Sequence, residues 1–288
     1  LNIFDMKSKV FLLLLMSFVM NARGQNVDAW KLNAQNIDAK NYYGITVANG
    51  MLGVVSSPEP FKVKDVVLAG AFDLYGRGRV SNFIRSFNLL NMQVSIDGSQ
   101  VNATNTQNLQ QTLNMQEASF TTKCEMGDKA SIEYTYYSLR QMPFTVLMDV
   151  TITAKKDIDL GAASVMEAPD ALKEVQNYYN EIDRPHVVIS LLSSSAKSPT
   201  GKMLMCASNS FVFSEPHGAE PRVIHEMWDN NMHLMKFSKK LKAGSSYRFS
   251  IVGSSITSAH HDDPLNEAER MTIFAKLEGR ERLIEHHK

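Results

Sequence analysis

Apolar and polar side chains alternate with a period of two along most of this chain, the pattern of β-strands with one face in a core and the other in water. Met92, Val94 and Ile96 alternate with Gln93 and Ser95, and the run ends at Asp97-Gly98, a dipeptide suited to a tight hairpin that returns the chain through Val101. The stretch 130–136 repeats the pattern, and Val146, Met148, Val150 and Ile152 share one face along 144–153. Further strands are predicted over 187–191, 203–207, 232–237 and 247–253, with turn residues at Gly127-Asp128, Pro199-Thr200-Gly201 and Ala243-Gly244 between them. Antiparallel strands in this number predict a mainly β fold, two broad sheets stacked as a sandwich. The polar stretch 168–183, with Tyr178 and Tyr179, breaks the alternation and is expected to be irregular.

The period changes near the C-terminus. Asp263 suits a helix N-cap and Pro264 the first helical position, and Leu265, Ala268, Met271, Thr272 and Ala275 follow at spacings of three and four. One helix is predicted over 262–288, with no later element to pack on, and 259–288 is expected to be a linker into a further domain. At the other end, Lys7 and Lys9 precede an apolar run over 10–20, and Ala22 and Gly24 are small residues before a cut at Gln25. That is the pattern of a signal peptide over 1–24, with residues 1–5 lying upstream of Met6 as a start extension. The run is shorter than the ~20 residues a bilayer needs. The expectation is an exported chain, secreted or periplasmic, with no membrane association after signal removal and a sandwich over 25–258.

Thirty basic and thirty acidic side chains balance, without a Lys/Arg run. That argues against nucleic acid or anionic lipid as a partner and favours a neutral ligand. Cys124 and Cys206, each among apolar strand residues, are expected as buried free thiols, with a disulfide, which an exporting compartment permits, as the alternative. Trp30 and Trp228 are expected to be packing residues rather than sugar platforms, with the platform kept as the alternative for Trp228, which sits near a turn in Glu226-Met227-Trp228-Asp229-Asn230.

The stretch Tyr43-Gly44-Ile45-Thr46-Val47-Ala48-Asn49-Gly50-Met51-Leu52-Gly53 resembles the opening strand and glycine turn of the N-terminal domain of glycoside hydrolase family 65, the maltose, trehalose and kojibiose phosphorylases and their hydrolase relatives. Val67-Leu68-Ala69-Gly70-Ala71-Phe72-Asp73 is similar to the strand and loop that follow, and Phe87-Asn88-Leu89 through Ile96-Asp97-Gly98 to the next hairpin. Gln111 to Ala118 resembles a Leu-Asp-Met stretch of the family, with Asn114 where an aspartate is usual. Ser138-Leu139-Arg140 and the terminal helix complete the order. The resemblance implies an antiparallel β-super-sandwich followed by a linker helix that leads to an (α/α)6 catalytic barrel, absent from this chain. The family's acid and phosphate-binding groups lie in that barrel, so no catalytic residue carries over.

The residues agree. Glycoside cleavage uses two facing carboxyl groups, and nothing in the sequence picks out such a pair. The adjacent Asp262 and Asp263 read as helix capping. His260-His261 lack a second cluster at ligand spacing, and His286-His287 read as a solvated helix end, so no metal is expected. No phosphate loop or nucleophile elbow occurs, and no cofactor is expected. Asn49-Gly50 reads as a tight turn.

One segment mixes the chemistry that binds sugars. Phe72, Asp73, Tyr75, Arg77 and Arg79 combine aromatics, a carboxylate and two guanidinium groups on a glycine-rich loop over 72–79, and are the candidate substrate-binding residues, against the alternative of an ordinary exposed loop. The expected function is the non-catalytic N-terminal domain of an exported enzyme acting on an α-linked glucose disaccharide or oligosaccharide. In this reading it supports and shapes the active site of the missing barrel and helps form a homodimer. Export favours hydrolysis over phosphorolysis, since a sugar phosphate is useful only inside the cell. The alternative is a stand-alone secreted β-sandwich module that binds carbohydrate or a cell-surface partner.

Overall fold

A computed structural model describes residues 28–76 and 80–288; the expected signal segment 1–24 lies outside them. Among the described residues, no helix is long and apolar enough to cross a membrane. The described residues form eighteen strands in three sheets, and every pairing among them is antiparallel. The broadest has nine strands in the order β1 (Lys31–Ala34), β8 (Gln107–Asn114), β9 (Ser119–Met126), β10 (Ala130–Ser138), β11 (Thr145–Ala154), β18 (Ser246–Thr257), β15 (Leu204–Phe213), β14 (Val187–Lys197), β13 (Lys173–Arg184). A five-stranded sheet faces it, in the order β16 (Ile224–Met227), β17 (Met232–Leu241), β12 (Ile158–Glu167), β6 (Met92–Ile96), β7 (Ser99–Gln100). Four strands, β2 (Thr46–Ala48), β3 (Leu52–Ser56), β4 (Val63–Leu74) and β5 (Ser81–Arg85), make the third sheet.

Alternation drives the layering. Met92, Val94 and Ile96 of β6 and Val146, Met148, Val150 and Ile152 of β11 point into one core. Phe237 of β17 meets Phe211 and Phe249 of the facing sheet edge-on, with ring centroids 5.0 Å away in both cases. The predicted hairpin at Asp97-Gly98 is present, with both residues at positive φ as a primed turn requires.

The central strands of the nine-stranded sheet are apolar on their outer face too, and that face is roofed by a helix. Leu147, Val212 and Val252 pack with Ala275 and Leu283, and Cys206 and Ile256 with Ala268. The predicted single helix breaks at Gly279. Pro264–Glu278 and Arg280–His287 are separate helices, because Gly279 takes φ +79° and its N–H closes onto Ala275 O at 3.2 Å. Asp263 caps the first as expected, accepting from the Asn266 N–H. His287, expected to be solvated, is buried against Tyr137 and donates from Nε2 to Glu117 O at 2.8 Å. Arg140 N–H donates to its Nδ1, fixing a neutral ring whose protonation burial also opposes.

Two further expectations are corrected. Residues 173–184 are not irregular but form β13, paired from Lys173↔Lys197 to Arg184↔Val187. It is an edge strand, and its polar residues suit an edge that must not recruit another chain, which hid it from a search for alternation. Trp30 and Trp228 are exposed, not packed. Both cysteines are buried free thiols, each pushed up to about 12 by burial: Cys124 sits in the main core and Cys206 beneath the first helix, on the opposite face of the same sheet.

Candidate functional site

The end of β4 inverts the rule that builds the rest of the fold. In Ala71-Phe72-Asp73-Leu74, periodicity alone would place Phe72 and Leu74 inside; instead they are 58% and 45% exposed, and Asp73 is 5% exposed. The residues expected to form a loop from Phe72 therefore begin on a strand.

Two contacts hold this inversion. β4 carries an irregularity between Val67 and Phe72, centred on Gly70 at φ +76°, where an added Cβ would lie 3.3 Å from His260 Nε2. His260 is itself held by Thr257 Oγ1 at 2.8 Å and by the ring of Phe144. Beyond the irregularity, Asp73 accepts from the Thr200 N–H at 2.9 Å, from the Thr200 hydroxyl at 2.7 Å and from the Leu74 N–H at 2.7 Å. Burial alone would raise this carboxyl, but hydrogen bonds from Ser198, Thr200 and Leu74 hold it far below the usual carboxylate range. A group so held accepts hydrogen bonds and cannot act as a proton donor.

With Asp73 turned inward, its neighbours face out. Phe72 pairs directly with Phe83 of β5, which is 55% exposed, and Leu74, Tyr75 and Val80 extend the apolar surface. Asn82 donates from its side chain to Tyr75 O and ties the hairpin across its tip. At its foot lies a groove of about 460 Å³, lined by Tyr75, Asn82, Phe83 and Arg85 and by Glu167 and Asp170 from the far wall. Arg85 is paired with Asp65 at 2.9 Å. Arg77 and Arg79 lie outside the described residues. The structure thus brings Phe72 and Tyr75 to one outward surface and turns Asp73 away from it, into a clamp.

This arrangement can bind but has no proton donor among these clamped groups. Elsewhere, Ser194 Oγ meets His233 Nε2 at 2.9 Å, and His233 Nδ1 meets His225 Nε2 at 3.3 Å. Burial pushes His233 down to about 3 and also lowers His225, which stacks flat on Tyr179 at 4.6 Å. Ser194 and His233 are wholly buried, so their contact braces β14 against β17, while the partly buried His225 and Tyr179 line a groove of about 460 Å³. Sequence reading missed it because its members sit on separate strands.

Residues 44–288 match the model of the glycosyl hydrolase family 65 N-terminal domain. A kojibiose hydrolase of Mucilaginibacter mallensis is 61% identical over 281 residues, 98% of this chain and 41% of the relative. A kojibiose hydrolase of Flavobacterium johnsoniae is 48% identical over 260 residues, 90% of this chain and 38% of the relative. The chain thus spans about two fifths of the length of the curated relatives it matches. A solved structure described as a putative kojibiose phosphorylase from the human microbiome shares the fold, with TM-score 0.67 at 10% identity over 90% of this chain and 37% of that one.

Proposed function

The chain belongs to glycosyl hydrolase family 65, as its N-terminal domain, and we propose that it serves an exported enzyme hydrolysing an α-linked glucose disaccharide, kojibiose, by shaping the substrate cleft of a catalytic domain. The observation that carries this reading is the β4–β5 hairpin. It exposes Phe72, Phe83, Leu74 and Tyr75 on an arm that the inward carboxylate of Asp73 holds in place. Aromatic side chains on a fixed scaffold bind sugar rings through their apolar faces, and a patch of this kind is unusual on a free surface. In this reading Phe72 and Tyr75 border the cleft, and Asp73 positions them.

Kojibiose as substrate is supported by the names of the two relatives, and hydrolysis by the expected export signal. The chain supplies binding and support, while the acid that protonates the leaving oxygen belongs to the remaining three fifths of such an enzyme. The test joins residues 25–288 to the C-terminal portion of the Mucilaginibacter relative and follows glucose release from kojibiose, with and without inorganic phosphate. Glucose as the sole product in both conditions is expected; phosphate-dependent glucose 1-phosphate would overturn the hydrolytic assignment. In the same fusion, Phe72→Ala and Tyr75→Ala should raise KM for kojibiose, and unchanged kinetics in both would remove the hairpin from the cleft.

A further inference from the structure

The outer face of the five-stranded sheet carries a groove that shares no lining residue with the groove beneath the hairpin. Strand register sets its shape. Gln100, Ser95, Gly161 and Ser238 form one row across β7, β6, β12 and β17, and Gln93, Ala163 and Lys236 the next across β6, β12 and β17. Their neighbours Val94, Ala162 and Phe237 point into the core, so alternation turns both rows outward. A Cβ at Gly161 would lie 2.6 Å from Ser95 Oγ, so the floor is cut down to backbone level there. The groove encloses about 520 Å³, within the range of small-molecule sites.

Trp228 lines this groove with its side chain 49% exposed. Its backbone is fixed where β16 turns into β17, the Trp228 N–H donating to Met232 O at 3.2 Å. Glu226 and Lys236 pair with each other across β16 and β17, so the strongest charges in the groove cancel. What remains for a ligand is the two glutamine amides, the serine hydroxyls and two exposed apolar side chains, Trp228 and Ile224, with Arg222 at the margin.

We infer that this groove binds a neutral oligosaccharide of glucopyranose units. Such a sugar presents flat C–H faces ringed by hydroxyls, which meet the Trp228 face and the amides of Gln93 and Gln100 respectively. An anion would find Arg222 as its sole uncompensated cation, and an apolar peptide would match Trp228 and Ile224 but leave the glutamine amides and serine hydroxyls without partners. The inference stands apart from the proposed cleft role and is tested on this chain without any catalytic domain.

The experiment is calorimetric titration of the chain with maltotriose and with cellotriose, repeated for Trp228→Ala, Gln100→Ala and Trp30→Phe. The parent should bind at least one of the two sugars with Kd about 1 mM, and Trp228→Ala should weaken it by roughly tenfold or more. Gln100→Ala should weaken it less, and Trp30→Phe should leave it unchanged. In the Trp30→Phe protein Trp228 is the one remaining indole, so its emission should shift on saturation with the same Kd. No saturable heat with either sugar overturns the inference, as does unaltered binding in Trp228→Ala with the thermal transition intact.

Discussion

The carboxylate of Asp73 takes both the backbone N–H and the hydroxyl of Thr200, at 2.9 and 2.7 Å, across 127 residues of sequence. This pair turns a polar residue inward and its apolar neighbours outward. Thr200→Val should cost about 1–3 kcal/mol by chemical denaturation, because it leaves a buried carboxylate short of donors. Asp73→Ala should cost a similar amount, whereas Tyr75→Ala, at an exposed position, should stay within about 0.5 kcal/mol. Equal and negligible losses for all three would show that the pair does not hold the hairpin.

The first C-terminal helix separates its two faces. Ala275 is fully buried against Leu147 and Val252, while Leu277 is 59% exposed. Leu277→Asp should therefore shift stability by less than about 0.5 kcal/mol, and Ala275→Asp should destabilise by about 3 kcal/mol or more through an unpaired buried charge. A marked fall in melting temperature for Leu277→Asp would mean that this face is already covered in solution.

Acid should weaken the fold through its buried imidazoles. His233 is lowered from 6.5 to about 3 by burial and then by its neighbour His225, so the unfolded chain binds a proton that the folded chain refuses. Its contribution is fully present above pH 6.5 and is lost as pH falls towards 3. Burial also lowers His225 and His287, which act in the same direction. Between pH 7 and pH 4 the loss from His233 should reach roughly 3 kcal/mol, read as a falling denaturation midpoint. A midpoint flat across that range would rule out the neutral buried ring.

Gly253 of β18 tests how closely the layers approach. A Cβ there would sit 2.4 Å from Leu89 Cδ1 and 2.9 Å from the backbone oxygen of Ser208. Gly253→Ala should destabilise by about 1–3 kcal/mol, because the backbone of β15 cannot yield as the leucine can. Gly98→Ala meets no atom within 4 Å and carries only the strain of its positive φ, so it should cost less.

What could be read in the sequence was whatever depends on neighbours along the chain. The Asp97-Gly98 turn, the faces of β6 and β11 and the Asp263 cap all follow from local pattern, and all are present. The break at Gly279 was within reach, since a glycine in a helical run with a suitable cap is a stop signal, but the run beyond it looked continuous. β13 was hidden because its polar residues mark an edge, not a loop. Asp73 was misplaced for a deeper reason. Its burial is decided by Thr200, and no periodicity records a partner 127 residues away.

The placement of the two thiols has a use beyond packing. Cys206 is covered by Ala268 and Leu265 of the first helix, whereas Cys124 is sealed between the sheets. A thiol reagent reaches Cys206 when that helix lifts and Cys124 only when the sandwich itself parts, so modification kinetics measure two openings separately in one unaltered molecule. Attaching a catalytic domain should slow labelling at the first site and leave the second at its original rate, which makes the chain a gauge of its own assembly.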